Sequence, residues 1–345
     1  MRKFYIIIFC LISIFVGAQE KPKYVYIGTY DNTFYCLDVI TGEKIWTYKT
    51  GHMIESSPAV YSNRVYFASD DGKIYCLNAL TGEKIWQKEI GEGSNYSSPV
   101  IVDGILYIGS YGKKLYALNP DTGDDIWTFK AGGSIYSDPL VVEGNVYVGS
   151  LDDNVYCINA LTGEKIWKKD VNDMVLTDLA YYDGRVYVYN KGEKLYALDA
   201  TTADIIWSKD IGDEGSRSSP VVYDGNIYVG TTDDELYSLN AETGKVNWKF
   251  EADYEIHTTP VIYNGKVYFG SGDEKIYALD VETGKKIWRY DTDNSINASP
   301  AIADGKIYFG NSDEDFYCLD AETGDKIWKV KVNGNMVVKP AFLFE

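Results

Sequence analysis

One position of the chain takes a new residue almost every time it recurs. Three residues before Pro58, Pro99, Pro139, Leu179, Pro220, Pro260, Pro300 and Pro340 it holds Glu55, Tyr96, Tyr136, Leu176, Arg217, His257, Asn297 and Val337. That is seven residue types in eight copies, while the flanking positions change little. Framework packing therefore does not dictate the choice. A carboxylate, an imidazole, a guanidinium and two phenols at one level could bind a polar partner, and Tyr and Arg dominate interface hot spots. Glu55 and His257 could also serve as base and acid. Nothing in the sequence tunes either group, and no serine or cysteine nucleophile is paired with a histidine in a recognisable motif, so no catalytic residue is assigned. An exposed position under no constraint would vary in the same way, and both readings stay open.

Metal chemistry has little to work with. His52 and His257 are the two histidines, too few for an all-protein zinc site without carboxylates. Acidic runs recur at Asp70-Asp71, Asp152-Asp153, Asp233-Asp234-Glu235, Asp273-Glu274 and Asp313-Glu314-Asp315. Carboxylate oxygens suit calcium, but no Asp-x-Asp-x-Asp-Gly loop is present, so these read as a solvated rim and no metal is assigned. Cys36, Cys76, Cys157 and Cys318 share one repeat position, which elsewhere holds Ala117, Ala197, Ala278 or Ser238. A slot that accepts Ala, Ser or Cys is small and buried, and predicts free thiols acting as small hydrophobes.

A repeat must place all of these. Its clearest copy runs Asn78-Ala79-Leu80-Thr81-Gly82-Glu83-Lys84-Ile85-Trp86, and the others end at Trp46, Trp127, Trp167, Trp207, Trp248, Trp288 and Trp328, 40 or 41 residues apart. Such a period means a propeller, a solenoid or an array. Between Pro99 and Trp127 the pattern predicts four strands. Val100 to Val102 comes first, then a primed turn at Asp103-Gly104, then Ile105 to Ser110 and Leu115 to Asn119. A turn at Asp121-Thr122-Gly123 follows, and Trp127 lies on the fourth strand. Four short strands leave apolar faces wet until copies pack around an axis.

The chain ends complete each other. Tyr24 to Trp46 matches only strands two to four, and Pro340 to Glu345 only strand one. The expected fold is therefore all-β: an eight-bladed β-propeller of four-stranded antiparallel blades, closed by pairing the C-terminal strand with the N-terminal blade. The tryptophans then read as blade-to-blade packing. The tyrosines of strands two and three, such as Tyr66, Tyr107, Tyr75 and Tyr116, read as framework. The varying ring lies at the channel mouth, where propeller ligands meet converging loops. In one repeat Leu179 replaces proline, Tyr189 replaces glycine and Thr201-Thr202-Ala203 replaces Thr-Gly, which predicts a distorted blade.

Net charge −18 over 345 residues argues against nucleic acid, since phosphate binding needs a basic face. Met1-Arg2-Lys3, the apolar run Phe4 to Val16 and the small residues Gly17 and Ala18 predict a secretory signal over residues 1–18. Residues 19–345 are then one propeller domain, exported to the periplasm or the outside, without a transmembrane segment and monomeric.

The motif Asp/Asn-Ala-x-Thr-Gly-x-x-x-Trp, in full in four repeats and with one substitution in each of the other four, resembles the tryptophan-docking repeat of the PQQ-like β-propeller family. That family includes the propeller of quinoprotein dehydrogenases and the non-enzymatic outer-membrane assembly factor BamB. Likeness to the enzymes would imply pyrroloquinoline quinone, calcium and an axial aspartate, but the adjacent Cys-Cys pair that many of them carry is missing. Likeness to the assembly factor implies a scaffold that holds a protein or envelope partner on its loop face, with no cofactor. A small-ligand or carbohydrate-binding module is the remaining alternative.

Overall fold

The computed structural model describes residues 21–344 except 92, 94, 95, 193 and 213–216; residues 1–18 of the expected leader lie outside the described residues. Two turns shape each of the seven continuous blades, as in the one that begins at Pro99. Asp103 and Gly104 both take positive φ, 51° and 74°, so the inner hairpin is of the primed kind whose twist matches its strands. At the outer hairpin Asn119 Oδ1 accepts the amides of Asp121 at 2.8 Å and Thr122 at 3.2 Å. Gly123 has φ 77°, and the ladder slips by one residue between Ala117 and Leu118, a bulge that adds twist.

The strands Val100–Val102, Ile105–Gly109, Lys114–Leu118 and Asp125–Lys130 form one of eight four-stranded antiparallel sheets. The molecule is an eight-bladed β-propeller. In the closing blade the C-terminal strand Ala341–Phe344 pairs with Pro22–Gly28, setting Tyr24 against Leu343 and Tyr26 against Ala341. Sequence-distant ends thus supply one sheet.

The core lies between blades. Tyr107, Leu115 and Ala117 of one blade pack on Val146, Val148 and Ile158 of the next. Val25, Ile27 and Leu37 of the closing blade pack on Phe316 and Cys318 of the last complete one. Each contact carries the same polar clasp. Ala160 O accepts both the indole N–H of Trp127 at 3.0 Å and the phenol of Tyr107 at 3.1 Å from the preceding blade. The pattern repeats through to Val39 O, which accepts Trp328 Nε1 at 3.1 Å and Tyr308 at 3.5 Å. Gly123 is required twice over. Its φ is positive, and a Cβ there would lie 2.9 Å from Trp86 Cε3.

The distorted blade expected around Leu179 is not found. Its strands keep the common register, with Ala180 opposite Tyr187 and Leu198 opposite Ile205. Asp199 Oδ1 still accepts the amides of Thr201 and Thr202 at 2.9 and 2.8 Å. Ala203 takes φ 63° in the glycine's place, at a cost of about 1 kcal/mol. The aspartate fixes this turn, so the missing glycine does not unmake it. Cys36, Cys76, Cys157 and Cys318 are buried free thiols. Burial pushes Cys157 up to about 11 and the other three up to about 12, so none is a nucleophile at neutral pH. Among the described residues no helix is long and apolar enough to cross a membrane.

Candidate functional site at the channel mouth

The mouth ring sits on a backbone pinned from both sides. At five of the mouth positions the preceding residue donates its N–H to the preceding blade, as Ile54 does to Thr29 O at 3.2 Å, Ile135 to Ser110 O at 3.1 Å and Ile256 to Thr231 O at 2.9 Å. Its side chain fills the space over a glycine, where a Cβ on Gly109 would come 2.5 Å from Ile135 Cγ2. The residue after it closes back on its own blade, as Ser56 Oγ does with Ala68 O at 3.0 Å and Ala68 N at 2.7 Å. Framework duties fall on the neighbours, which leaves the mouth residue itself free to differ.

Four of the eight ring residues meet. The Tyr96 and Tyr136 rings lie 4.9 Å apart, and Arg217 places its guanidinium 5.8 Å from the Tyr96 ring. Glu55 faces Tyr30, Tyr96 and Asp70 and is only 8% exposed. Burial, then the Asp70 carboxyl, push the Glu55 carboxyl above its usual range, although Tyr30 and Tyr96 oppose this through hydrogen bonding. Its Oε2 has no well-formed hydrogen bond. Tyr30 and Tyr96 are themselves raised, first by burial and then by Glu55. Tyr111 extends the aromatic patch, 6.5 Å from Tyr136.

The other four ring residues stay apart. His257 Nε2 lies 2.6 Å from Glu255 Oε2, and Asn297 Nδ2 donates to Ser312 Oγ at 3.1 Å. Leu176 and Val337 are half-buried. Glu55 and His257 each have their own surroundings, and no acid–base pair is formed between them.

Sequence reasoning missed Tyr30 and Tyr111, and it read Asp70 as part of a solvated rim, whereas the Asp70 side chain is buried against Glu55. Tyr30, Asp70 and Tyr111 share one position of the loop joining strands two and three, which elsewhere holds Leu151, Lys191, Thr232, Gly272 and Ser312. That position varies as freely as the mouth ring, so the same internal comparison would have found it.

A second missed feature lies below the mouth. Two residues after each ring position come Ser57, Ser98, Asp138, Asp178, Ser219, Thr259, Ser299 and Lys339. Seven of them, all but Ser299, donate the backbone N–H to a neighbour's side-chain oxygen, forming a belt around the channel. Ser57 reaches Ser98 at 3.0 Å, Ser98 reaches Asp138 at 2.5 Å, and Asp138 reaches Asp178 at 2.7 Å. Asp178 reaches Ser219 at 2.9 Å, Ser219 reaches Thr259 at 3.0 Å, and Thr259 reaches Ser299 at 2.9 Å. Lys339 donates to Ser57 at 3.0 Å but offers no acceptor, which interrupts the belt. Burial first and the Asp178 carboxylate second hold Asp138 well above the usual carboxylate range. Burial also raises Asp178, and Lys339 pulls both down.

The acidic turns are internally tied. Tyr75, Tyr156 and Tyr277 donate their hydroxyls to Asp71, Asp152 and Asp273 at 2.5, 2.6 and 2.5 Å. Among the described residues no group of three or more His, Cys, Asp or Glu is placed to hold a metal ion.

The sequence matches the family described as outer membrane protein assembly factor BamB, over residues 14–128, 70–172, 126–220 and 206–341. A search of curated proteins finds no match. Among solved structures the computationally designed Ika8 protein superposes with a TM-score of 0.75 at 17% identity, over 83% of this chain and 89% of that one. BamB from Moraxella catarrhalis superposes with a TM-score of 0.70 at 17% identity, over 88% and 91%. At such identity the likeness is one of fold, whereas the four overlapping family matches run through nearly the whole propeller. The chain belongs to the BamB family of PQQ-like repeat propellers.

Proposed function

We propose that the chain is an exported, non-catalytic scaffold whose channel mouth holds a protein partner. The observation that carries this is the convergence of Tyr30, Tyr96, Tyr136 and Arg217 around Glu55, drawn from blades that no shared framework contact requires to match. Aromatic and arginine side chains in a part-desolvated concavity are the usual anchors of an interface. Family membership supports a binding propeller.

Pyrroloquinoline quinone suits the mouth poorly. It is a tricarboxylate, and burial together with the Asp70 carboxyl already disfavours the charged form of Glu55 here. Export rests on the basic start, apolar run and small residues of 1–18, and N-terminal sequencing of the mature protein checks it.

A photo-crosslinking amino acid at position 136, in the native host, should give a discrete adduct. The same group at exposed Ile126 on an outer strand should give none. Adducts from 126 alone would move the binding surface to the blade edges and overturn the proposal.

A further inference from the structure

The mouth cluster is built for a positive charge. Glu55 is a carboxyl more than nine-tenths buried, with Oε2 lacking a well-formed hydrogen bond. Among the described residues it forms no ion pair. The groups that face it are two phenols, Tyr30 and Tyr96, and a second carboxyl, Asp70. His52 Nδ1 approaches Asp70 no closer than 3.9 Å, at the rim. Tyr96 turns its hydroxyl to the carboxyl, and its ring lies against that of Tyr136, centroids 4.9 Å apart. The Tyr96 ring already takes a cation, the guanidinium of Arg217. A desolvated carboxylate beside aromatic rings is a receptor for an ammonium or guanidinium group, through charge pairing and cation–π attraction together. The wider field agrees in sign, since the chain carries net charge −18 and acidic turns line the same face, steering cations inward.

Deepening the scaffold reading on which it rests, we infer that the partner presents a basic segment and lays one lysine or arginine side chain along the paired Tyr96 and Tyr136 rings onto Glu55. The stem of such a side chain packs on the rings while its head reaches the carboxyl. The raised Glu55 carboxyl fits this, because an incoming cation favours its ionised form and offsets the cost of its burial.

The test is calorimetry on the full mature chain with a capped oligolysine peptide, against the same peptide with every lysine acetylated. Acetylation keeps the stem and removes the charge. Saturable binding is expected for oligolysine only. Glu55→Gln should weaken it about tenfold, a loss of ~1.4 kcal/mol, while Asp313→Asn on the distant rim leaves it within about twofold. Absence of saturable oligolysine binding to the unaltered protein overturns the inference and needs no variant. Equal losses in Glu55→Gln and Asp313→Asn also overturn it, because diffuse rim attraction would then explain everything. If the position-136 adduct persists and oligolysine does not compete with it, the partner docks without a basic anchor. This inference then fails and the scaffold reading stands.

Discussion

Ala160 O serves two donors at once, and the same arrangement joins every pair of neighbouring blades, which makes its parts separable by mutation. Trp127→Ala removes a half-buried ring and one donor. We expect a loss of about 3 kcal/mol, the lower end for large aromatics because the ring is not fully covered. Tyr107→Phe removes only the hydroxyl and leaves Ala160 O satisfied by Trp127, so about 1 kcal/mol is expected. Chemical denaturation of both variants and of the double mutant measures these, and a coupling term should appear because the two donors share one acceptor. In the channel belt the sign of a pH effect is fixed. Asp138 has a raised folded pKa, so its ionisation opposes folding. Its favourable contribution is complete below the unfolded value of about 3.9 and is lost as pH rises through the folded value. Asp138→Asn keeps an acceptor for the Ser98 amide and cannot ionise. The variant should therefore melt higher than the parent at neutral pH, with the gap closing toward pH 4. A gap that widened on acidification would contradict the assignment.

The blade is the level at which the sequence was most legible. The hairpin Asp103-Gly104 and the Asn119 turn carry their conformations in their residue types, and the first strand, Val100–Val102, lies where the apolar run placed it. Ring closure was equally legible, because Tyr24 and Leu343 belong to fragments that lack complementary strands. Side-chain partnerships across blades were not. Nothing local says that Ser98 will bond Asp138, since the residues are 40 positions apart and both types are ordinary before a proline. The Leu179 blade misled because glycine's absence was weighed more heavily than the aspartate that shapes the turn. Closure yields a prediction at this scale. Deleting residues 340–345 strips the partner from Pro22–Gly28 and bares an inner edge that is apolar and otherwise buried. A lower melting temperature and concentration-dependent oligomers by size exclusion are expected. Restoring the segment as a free peptide should reverse both.

Across the whole ring, charge decides between holding a cofactor and holding a partner. Arg217 and Lys339 are the cations that act on the mouth and channel groups described above. Against them stand Glu55 and Asp70 at the mouth and Asp138 and Asp178 below it, with Glu55, Asp138 and Asp178 all raised toward the neutral form. Burial, joined at Glu55 and Asp138 by a neighbouring carboxyl, already disfavours the charged forms of these three, so the cavity resists further negative charge. A quinone bearing three carboxylates would add to that load, and would need a divalent ion to reverse it. The tying of Asp71, Asp152 and Asp273 to tyrosine hydroxyls directs those oxygens inward on their own turns. We therefore expect calorimetry with pyrroloquinoline quinone and calcium to show no saturable heat, and a dye-linked dehydrogenase assay to show no turnover of alcohols or sugars. Glu55→Gln sharpens the test. Removing that charge should leave quinone binding absent, because Asp70, Asp138 and Asp178 remain, while it lowers affinity for a basic peptide. Tight quinone binding by the parent, with turnover, would reverse the argument at its root: the raised carboxyls would then be groups poised to receive a metal rather than a partner's cation.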